Sequence, residues 1–184
     1  MLYYFDEFLN YAEITGFRNT SFRLTNETLQ NLRKREHSKV EIQFFDADLI
    51  ATKDHLYFAL LSSLQAFKNG VNISKSIAME MMLYASAQRQ IKKAIQKIGI
   101  KPETNDLAVV VVGEKREEVI SEIEEISCKL RTKLDDAVLA MSEYKRKRIV
   151  EAFNITNLEL ETISKADDFI NLVVEQVALL VTRL

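Results

Sequence analysis

The sequence predicts an α+β fold, in which a small, mostly antiparallel sheet packs with several α-helices in a single domain over residues 1–184. The chain has 184 residues, of which 47% are hydrophobic, so it can bury one sizeable core. The run "DLAVVVVGE" is continuously apolar and β-branched, which is typical of a strand buried on both faces. Much of the remaining sequence repeats its apolar residues at helical spacing, which indicates helices packed on a sheet.

Two further strands and a short helix are expected before residue 50. Tyr11–Phe17, "YAEITGF", suits a first strand, and Thr25–Arg35, "TNETLQNLRKR", favours a short helix that ends in basic residues. Val40–Leu49 alternates through Phe44 and then changes phase at Phe45. This pattern predicts a strand with a bulge at the phenylalanine pair.

Helical periodicity begins at Thr52 and ends at Gly70. Ser74 is expected to cap a second helix, which runs to Gly99 and has a candidate break at the small run Ala85–Ala87. The sequence therefore places a loop of mixed polar and basic residues between two apolar helices.

The second half of the chain is expected to be mainly helical. After the central strand, Glu114–Lys133 has the spacing of an amphipathic helix, whereas Asp135–Met141 fits either an edge strand or a loop. Three more helices follow, with Ser142, Thr156 and Ser164 as caps.

The last of these helices is apolar almost all round. One stripe consists of Phe169, Leu172, Val173, Val177 and Leu180, and a second of Ile170, Val174, Ala178 and Val181. A surface helix needs only one such stripe. The second stripe is therefore expected to be covered, either by another helix of the chain or by a partner, and the pattern does not decide between them.

Composition excludes several classes of protein. The formal charge of −2 and the pI of about 5.8 do not describe a chain that coats nucleic acid or membrane by net charge. The single cysteine, Cys128, lies in an apolar-periodic helix, so a packed thiol and a reducing, cytoplasmic compartment are expected. The N-terminus lacks the features of a signal peptide, and no uncharged apolar run is long enough to cross a membrane. We expect a soluble protein without a membrane partner.

Few residues suggest catalysis. The four glycines are too dispersed for a phosphate-binding loop, and neither His37 nor His55 accompanies a recognisable nucleophile motif. Asp46, Asp48 and Glu80, with His55, could imitate a metal-dependent hydrolase, but carboxylates that end a strand and cap a turn are the favoured interpretation. We expect no enzyme activity, no cofactor and no small-molecule substrate. A homo-oligomeric scaffold is the other alternative.

A basic set surrounds the loop between the two apolar helices. It consists of Lys68, Lys75, Arg89, Lys92, Lys93 and Lys97. The unsatisfied N–H groups expected at the start of the second helix, near Ser74–Ile77, also favour anions. A solvated helix face has the same charge spacing, so the pattern alone leaves nucleic-acid binding as one of two interpretations.

Several short motifs follow one another in a family-specific order. They are a strand ending at Asp46, the helix start "HLYFA" at His55–Ala59, "AFKNG", "NISKS" before Glu80, "RQIKKAI", "GI" at Gly99–Ile100, and "VALL" near the C-terminus. Over about Phe44–Val112 and the last helix, the chain resembles the PRPK-binding protein (TPRKB) family, the small kinase-associated subunit of the KEOPS (EKC) complex. It departs from the family pattern in Met1–Lys39 and Glu114–Ser142.

The resemblance implies a non-catalytic subunit. In that family, the protein binds a PRPK-type atypical kinase/ATPase within the complex that makes threonylcarbamoyladenosine in tRNA, and archaeal members recruit tRNA by its 3′ CCA end. The implied RNA-binding residues are Lys68, Asn72, Ser74, Lys75, Ser76, Arg89, Lys92 and Lys93. The implied kinase interface consists of Leu160, Ile163, Ile170, Val174, Val177 and Val181.

Overall fold

The computed structural model describes residues 2–21, 27–31, 40–162 and 166–182, and it confirms the α+β class. The sheet has four antiparallel strands in the order β1-β2-β4-β3. Their bounds are β1 Leu2–Phe5, β2 Asn10–Phe17, β3 Val40–Asp46 and β4 Leu107–Gly113.

The longer helices follow the periodicity of the sequence. Their bounds are α1 Lys53–Lys68, α2 Ile77–Ser86, α3 Ile91–Ile98, α4 Arg116–Leu130, α5 Glu143–Phe153, α6 Asn157–Thr162 and α7 Ala166–Ala178. Residues 27–31 are also helical, within the short helix expected there. Ala87 adopts a left-handed conformation (φ 52°) and ends α2, so the predicted break at Ala85–Ala87 is confirmed. Short 3₁₀ helices lie at Asp6–Phe8, Ala47–Leu49, Asp136–Leu139 and Leu179–Thr182.

Backbone contacts divide the chain into two compact units, each built from two segments. The first comprises Met1–Ala47 and Ile100–Val138, and the second comprises Asp48–Gly99 and Leu139–Leu184. All of the candidate binding residues belong to the second unit. The single domain expected from the sequence stays a prediction.

In the first unit, α4 and the sheet share one hydrophobic cluster. Alternate residues of a strand face the same side, and Leu107, Val109 and Val111 of β4 all belong to this cluster. The apolar stripe of α4 supplies Val119, Ile123, Ile126 and Leu130. Cys128 lies off that stripe and is exposed, so the predicted packed thiol is wrong.

The strands predicted at β2, β3 and β4 are present, but the bulge predicted within β3 is not. Every residue of β4 is buried, as expected for the central strand. The register of β3 against β4 runs without interruption from Val40 to Asp46, so the predicted bulge is wrong. The change of phase arises because Phe44 and Phe45 are both buried and the strand then passes into a 3₁₀ helix. β1, which pairs with β2, was not predicted.

In the second unit, α1 packs against α2 and α7, and α2 packs against α3. Leu56, Leu60 and Leu64 of α1 are buried, in agreement with the predicted stripe. Gly70 follows α1 with a positive φ of 66°, which is the conformation that favours glycine after a helix. This turn begins the loop that carries four of the eight candidate RNA-binding residues.

Asp135–Met141 is not an edge strand, because Asp136–Leu139 forms a 3₁₀ helix. The segment lies against β2, where Thr15 Oγ1 donates to Asp136 Oδ1 at 2.8 Å and the Asp135 N–H donates to the Gly16 carbonyl at 2.8 Å. A Cβ atom on Gly16 would meet Val138 Cγ2 and would lie 2.8 Å from the Asp135 carbonyl oxygen. The close approach therefore requires glycine.

We expect Gly16→Ala to lower the free energy of unfolding by about 2 to 3 kcal/mol, because the methyl group overpacks this contact. Urea unfolding followed by circular dichroism measures the change. Gly70→Ala is the matched control. Its positive φ costs about 1 kcal/mol, but a Cβ there meets nothing within 4 Å. A smaller loss for Gly16→Ala than for Gly70→Ala contradicts the prediction.

Candidate functional site

The cations of the candidate RNA site lie on the exposed surface of the second unit. Lys68 ends α1, Lys75 lies in the following loop, Arg89 precedes α3, and Lys92 and Lys93 lie on α3; all are exposed. From Lys53 to Gly99 the sequence contains seven lysine or arginine residues against two acidic residues. This segment is therefore basic within a chain whose formal net charge is −2.

The buried carboxylate of Glu80 holds the loop before α2. It accepts the backbone N–H of Ile73 at 3.1 Å and that of Ser74 at 2.7 Å. Glu80 is fully buried, so these N–H groups provide compensation that a buried carboxylate requires. The Ile73 and Ser74 N–H groups are thus satisfied from within the chain.

Ser76, rather than Ser74, caps α2, so the predicted cap is wrong. The Ser76 hydroxyl accepts the Met79 N–H at 3.2 Å, whereas the Ser74 hydroxyl donates to the Ser76 carbonyl at 2.8 Å. The Asn72 side chain donates to the Ser74 carbonyl at 2.8 Å. Ser74 is only 5% exposed, so it supports the loop from inside, while Asn72 and Ser76 are half-buried.

The sequence analysis did not identify two exposed apolar side chains of this loop as binding candidates. Val71 is 60% exposed and Ile73 is 41% exposed, between the cations Lys68 and Lys75. Neither belongs to a helical or alternating pattern. Their isolation in an otherwise polar stretch is the signal that could have found them.

The second candidate surface lies on α7. Phe169, Val173 and Val177 are buried, whereas Ile170 and Val174 of the other stripe are half-buried. One stripe therefore packs within the chain and the other is partly open. Val177 is 0% exposed and belongs to the packed stripe, and its place in the kinase interface stays a prediction.

The preceding helix α6 extends the apolar character of this region of the chain. Leu160 is half-buried and Leu158 is 71% exposed. Thr156 begins the helix, because its hydroxyl accepts the Glu159 N–H at 3.3 Å and its own N–H donates to Glu159 Oε2 at 2.7 Å. The Thr156 hydroxyl also lies 2.7 Å from Glu159 Oε2, and the hydrogen bonds that the Thr156 N–H and hydroxyl donate to this carboxylate lower the pKa of Glu159. Of the other predicted interface residues, Ile163 and the side chain of Val181 lie outside the described residues.

His55 is a buried structural residue. Its Nδ1 accepts the Ala51 N–H at 3.2 Å, its Nε2 lies 2.8 Å from the Ala85 carbonyl, and its ring meets Phe153 edge-on. This arrangement fits the neutral tautomer with the proton on Nε2. Burial lowers the pKa of His55 to about 4, and the nearby charges of Lys97 and Lys145 act in the same direction.

The described residues do not form a metal centre. Asp48 Oδ2 accepts a hydrogen bond from Arg148 Nη1 at 2.6 Å, and the Glu80 carboxylate accepts the Ser74 N–H of the loop before α2. Within residues 2–21, 27–31, 40–162 and 166–182, no three histidine, cysteine or acidic side chains could together hold a metal ion. The metal-dependent hydrolase therefore gains no support from Asp46, Asp48, His55 and Glu80. His37 lies outside the described residues. No helix in the described part of the chain is long and apolar enough to span a bilayer.

The fold and these surfaces define a small α+β protein with a basic loop region and a partly open apolar helix. A family model described as "Kinase binding protein CGI-121" matches residues 18–180. The chain belongs to this family of kinase-binding proteins, which confirms the resemblance inferred from its motifs.

Two relatives carry names of the same kind. The chain is 36% identical over 116 residues to "Regulatory protein Cgi121" of Methanocaldococcus jannaschii, covering 63% of this chain and 72% of that protein. It is 27% identical over 77 residues to "EKC/KEOPS complex subunit CGI121" of Coccidioides immitis, covering 42% of this chain and 37% of that protein.

The buried neutral His55 predicts a loss of stability in acid. Because its folded pKa of about 4 lies below the ordinary value of 6.5, the unfolded chain binds more protons between these values. We expect this residue to contribute roughly 3 kcal/mol of stability above pH 6.5, which is lost as the pH falls towards 4. Urea unfolding at a series of pH values measures it.

The variant His55→Gln should flatten this part of the pH profile, because glutamine does not titrate. His37→Gln removes the other histidine and serves as the control. Its stability should depend on pH in the same way as that of the unmodified chain. The assignment to His55 is wrong if His37→Gln is the variant that flattens the profile.

Proposed function

We propose that this chain is a non-catalytic, cytoplasmic subunit of the KEOPS complex for threonylcarbamoyladenosine modification of tRNA. In this role, it binds the PRPK-type kinase/ATPase subunit and recruits tRNA by its 3′ CCA end. The observation that carries the proposal is membership of a kinase-binding family together with a relative named as an EKC/KEOPS complex subunit. The two surfaces described above supply the residues for the two partners.

The kinase-binding part rests on the open stripe of α7. Ile170 and Val174 are half-buried in the isolated chain, and Leu160 of α6 has similar exposure. Covering apolar surface stabilises a complex by roughly 25 cal/mol for each Å² removed from water. A stable interface needs about 800 Å² on each partner, so these residues would form the centre of a larger contact. Their apolar character suits a kinase lobe that offers an apolar groove.

We expect Val174→Glu to weaken the complex with the cognate PRPK-type kinase at least tenfold, about 1.4 kcal/mol or more, because it places an unpaired carboxylate in an apolar contact. A pull-down followed by calorimetric titration measures the loss. Asn171→Glu is the matched control, because it adds the same charge at an exposed position of α7. Unchanged kinase affinity of Val174→Glu, with an unchanged circular dichroism spectrum, contradicts the proposed interface.

The RNA-binding part rests on the exposed cations. The CCA end of tRNA is unpaired, so its phosphates and its bases are both accessible to a protein surface. Lys75, Lys92 and Lys93 are exposed and lie in the basic segment Lys53–Gly99. Proteins that bind unpaired ends combine such cations with side chains that contact the bases.

We expect the isolated chain to bind a tRNA that ends in CCA more tightly than the same tRNA without its last three nucleotides. If about four cations contact phosphates, log affinity should fall against log salt with a slope of about −3. Lys92→Ala combined with Lys93→Ala should make the slope shallower by about 1.4. Fluorescence anisotropy at several salt concentrations measures both quantities.

The double variant Lys133→Ala with Lys147→Ala is the matched control, because it removes two exposed lysines outside the basic segment. It should leave the slope unchanged. Equal affinity for the two tRNAs would contradict recognition of the CCA end. An affinity that does not change with salt concentration would contradict the phosphate contacts.

A further inference from the structure

The strand β1 forms an open edge of the sheet in the first unit. It pairs with β2 on one side, and no strand within the described residues pairs with it on the other. In an antiparallel pair, alternate residues direct both their N–H and their C=O groups away from the partner strand. Two of the four residues of β1 therefore direct these groups outwards, where one further strand could bind them.

This edge lacks several features by which proteins prevent such pairing. An open edge is commonly protected by a lysine, a proline or a bulge. The sequence of β1, LYYF, contains no charged residue and no proline, and its register against β2 runs without interruption from Leu2 to Phe5. The strand is short, so an added strand gains only a few backbone hydrogen bonds. Any occupant must therefore gain part of its affinity from side chains.

Two tyrosines form an aromatic surface beside this edge. Tyr4 of β1 lies opposite Tyr11 of β2, and residues opposite one another share a face of the sheet. Their ring centroids are 4.6 Å apart, with an angle of 34° between the rings. Tyr11 packs against the hydrophobic cluster of this unit, whereas Tyr4 is 50% exposed. The exposed ring is thus held by a neighbour that is itself anchored in the core.

The charge of the same hairpin indicates which kind of strand would bind. Leu2–Phe17 contains three acidic residues, Asp6, Glu7 and Glu13, and no lysine or arginine. Asp6 and Glu7 directly follow β1 and are exposed. Glu13 lies opposite Leu2, so negative charge stands at both ends of the edge. A guanidinium group is attracted both by carboxylates and by the face of a tyrosine ring, so an extended segment that contains arginine complements this surface.

We propose that β1 is a docking edge for an extended, arginine-containing segment of another protein, which adds a fifth strand to the sheet. The arginine side chains of this segment contact the Tyr4 ring and the Asp6 carboxylate. The family model matches residues 18–180, so β1 and β2 lie outside the matched residues. The docking edge is independent of the proposed kinase binding and tRNA recruitment, whose residues all lie in the second unit. One short added strand buries little surface, so the complex is weak and transient.

NMR spectroscopy of the full chain, titrated with synthetic peptides, tests the proposal. The probe is a peptide with blocked ends in which arginine and valine alternate, and the matched peptide has glutamate in place of each arginine. We expect the arginine peptide to shift the amide signals of Leu2–Phe17. At low salt it should bind about tenfold more tightly than the glutamate peptide, or better, because the glutamates meet like charges. This preference should decrease as salt screens the charges.

Methylated forms of the arginine peptide separate strand addition from simple attraction of charge. Methyl groups on alternate backbone nitrogens can be placed in either of two frames. In an added strand, one frame directs the methyl groups at β1 and removes the hydrogen-bond donors, whereas the other directs them at solvent. We expect the first to weaken binding about tenfold and the second to leave it unchanged.

Variants of the chain identify the contributing side chains. Tyr4→Lys places a cation at the edge and should weaken binding of the arginine peptide about tenfold, whereas Tyr4→Phe keeps the ring and should bind normally. Asp6→Asn should weaken binding about threefold and make it less sensitive to salt. Tyr144→Lys and Glu117→Gln are the matched controls, because they change an exposed tyrosine and an exposed carboxylate elsewhere. Both should leave the affinity unchanged.

Other outcomes overturn the proposal. Equal affinity for the arginine and glutamate peptides contradicts selection by charge, and equal binding of the two methylated peptides contradicts strand addition. Shifts confined to the second unit place the binding elsewhere. If light scattering shows a dimer that Tyr4→Lys dissociates, the occupant is a second copy of the chain rather than a basic partner. If Tyr4→Lys does not fold, the methylated peptides decide on the unmodified chain.

Discussion

The basic surface depends on a negative charge that is not exposed. Glu80 is buried, and an uncompensated carboxylate in that position would cost several kcal/mol, so the loop before α2 must direct the backbone N–H groups of Ile73 and Ser74 at it. That requirement fixes the loop, and the fixed loop determines which side chains face solvent. The exposed cation Lys75 and the apolar Val71 and Ile73 are presented as a consequence. One internal hydrogen-bonded charge thus organises an external surface.

A second buried polar group connects the helices of the same unit. His55 of α1 hydrogen-bonds the Ala85 carbonyl of α2 and meets Phe153 of α5, and Lys97 of α3 lies above the Phe153 ring with Nζ 3.7 Å from its centroid. Lys97 also donates to the Ser86 carbonyl at 2.9 Å. This lysine is therefore engaged in the helix packing, which separates it from Lys92 and Lys93 on the exposed face of α3. Sequence spacing alone groups all three cations, and only the packing distinguishes them.

The sequence predicts those features whose signal is periodic, and it misses those that depend on a single partner. The apolar run of β4 and the stripes of α1 and α4 repeat over many residues, so they are recognised without tertiary information. β1 has four residues, too few to show a period. The cap of α2 was expected at Ser74, and only the hydrogen bond that the Ser76 hydroxyl accepts from the Met79 N–H identifies Ser76 instead. At the candidate site, the charge is visible in the sequence, whereas the exposure of Val71 and Ile73 is established only by the structure.

The net charge of the chain constrains how such a surface can bind RNA. A formal charge of −2 provides no general attraction for a polyanion, so the cations between Lys53 and Gly99 must act at short range. At physiological ionic strength, charge interactions decay over about 8 Å, which is close to the spacing of a few nucleotides. A small patch can then satisfy the phosphates of only a short strand. Affinity beyond that electrostatic contribution has to come from the bases, and bases are available to a protein surface only where the strand is unpaired. A weakly charged protein with one short basic segment is for this reason better suited to strand ends than to duplex RNA.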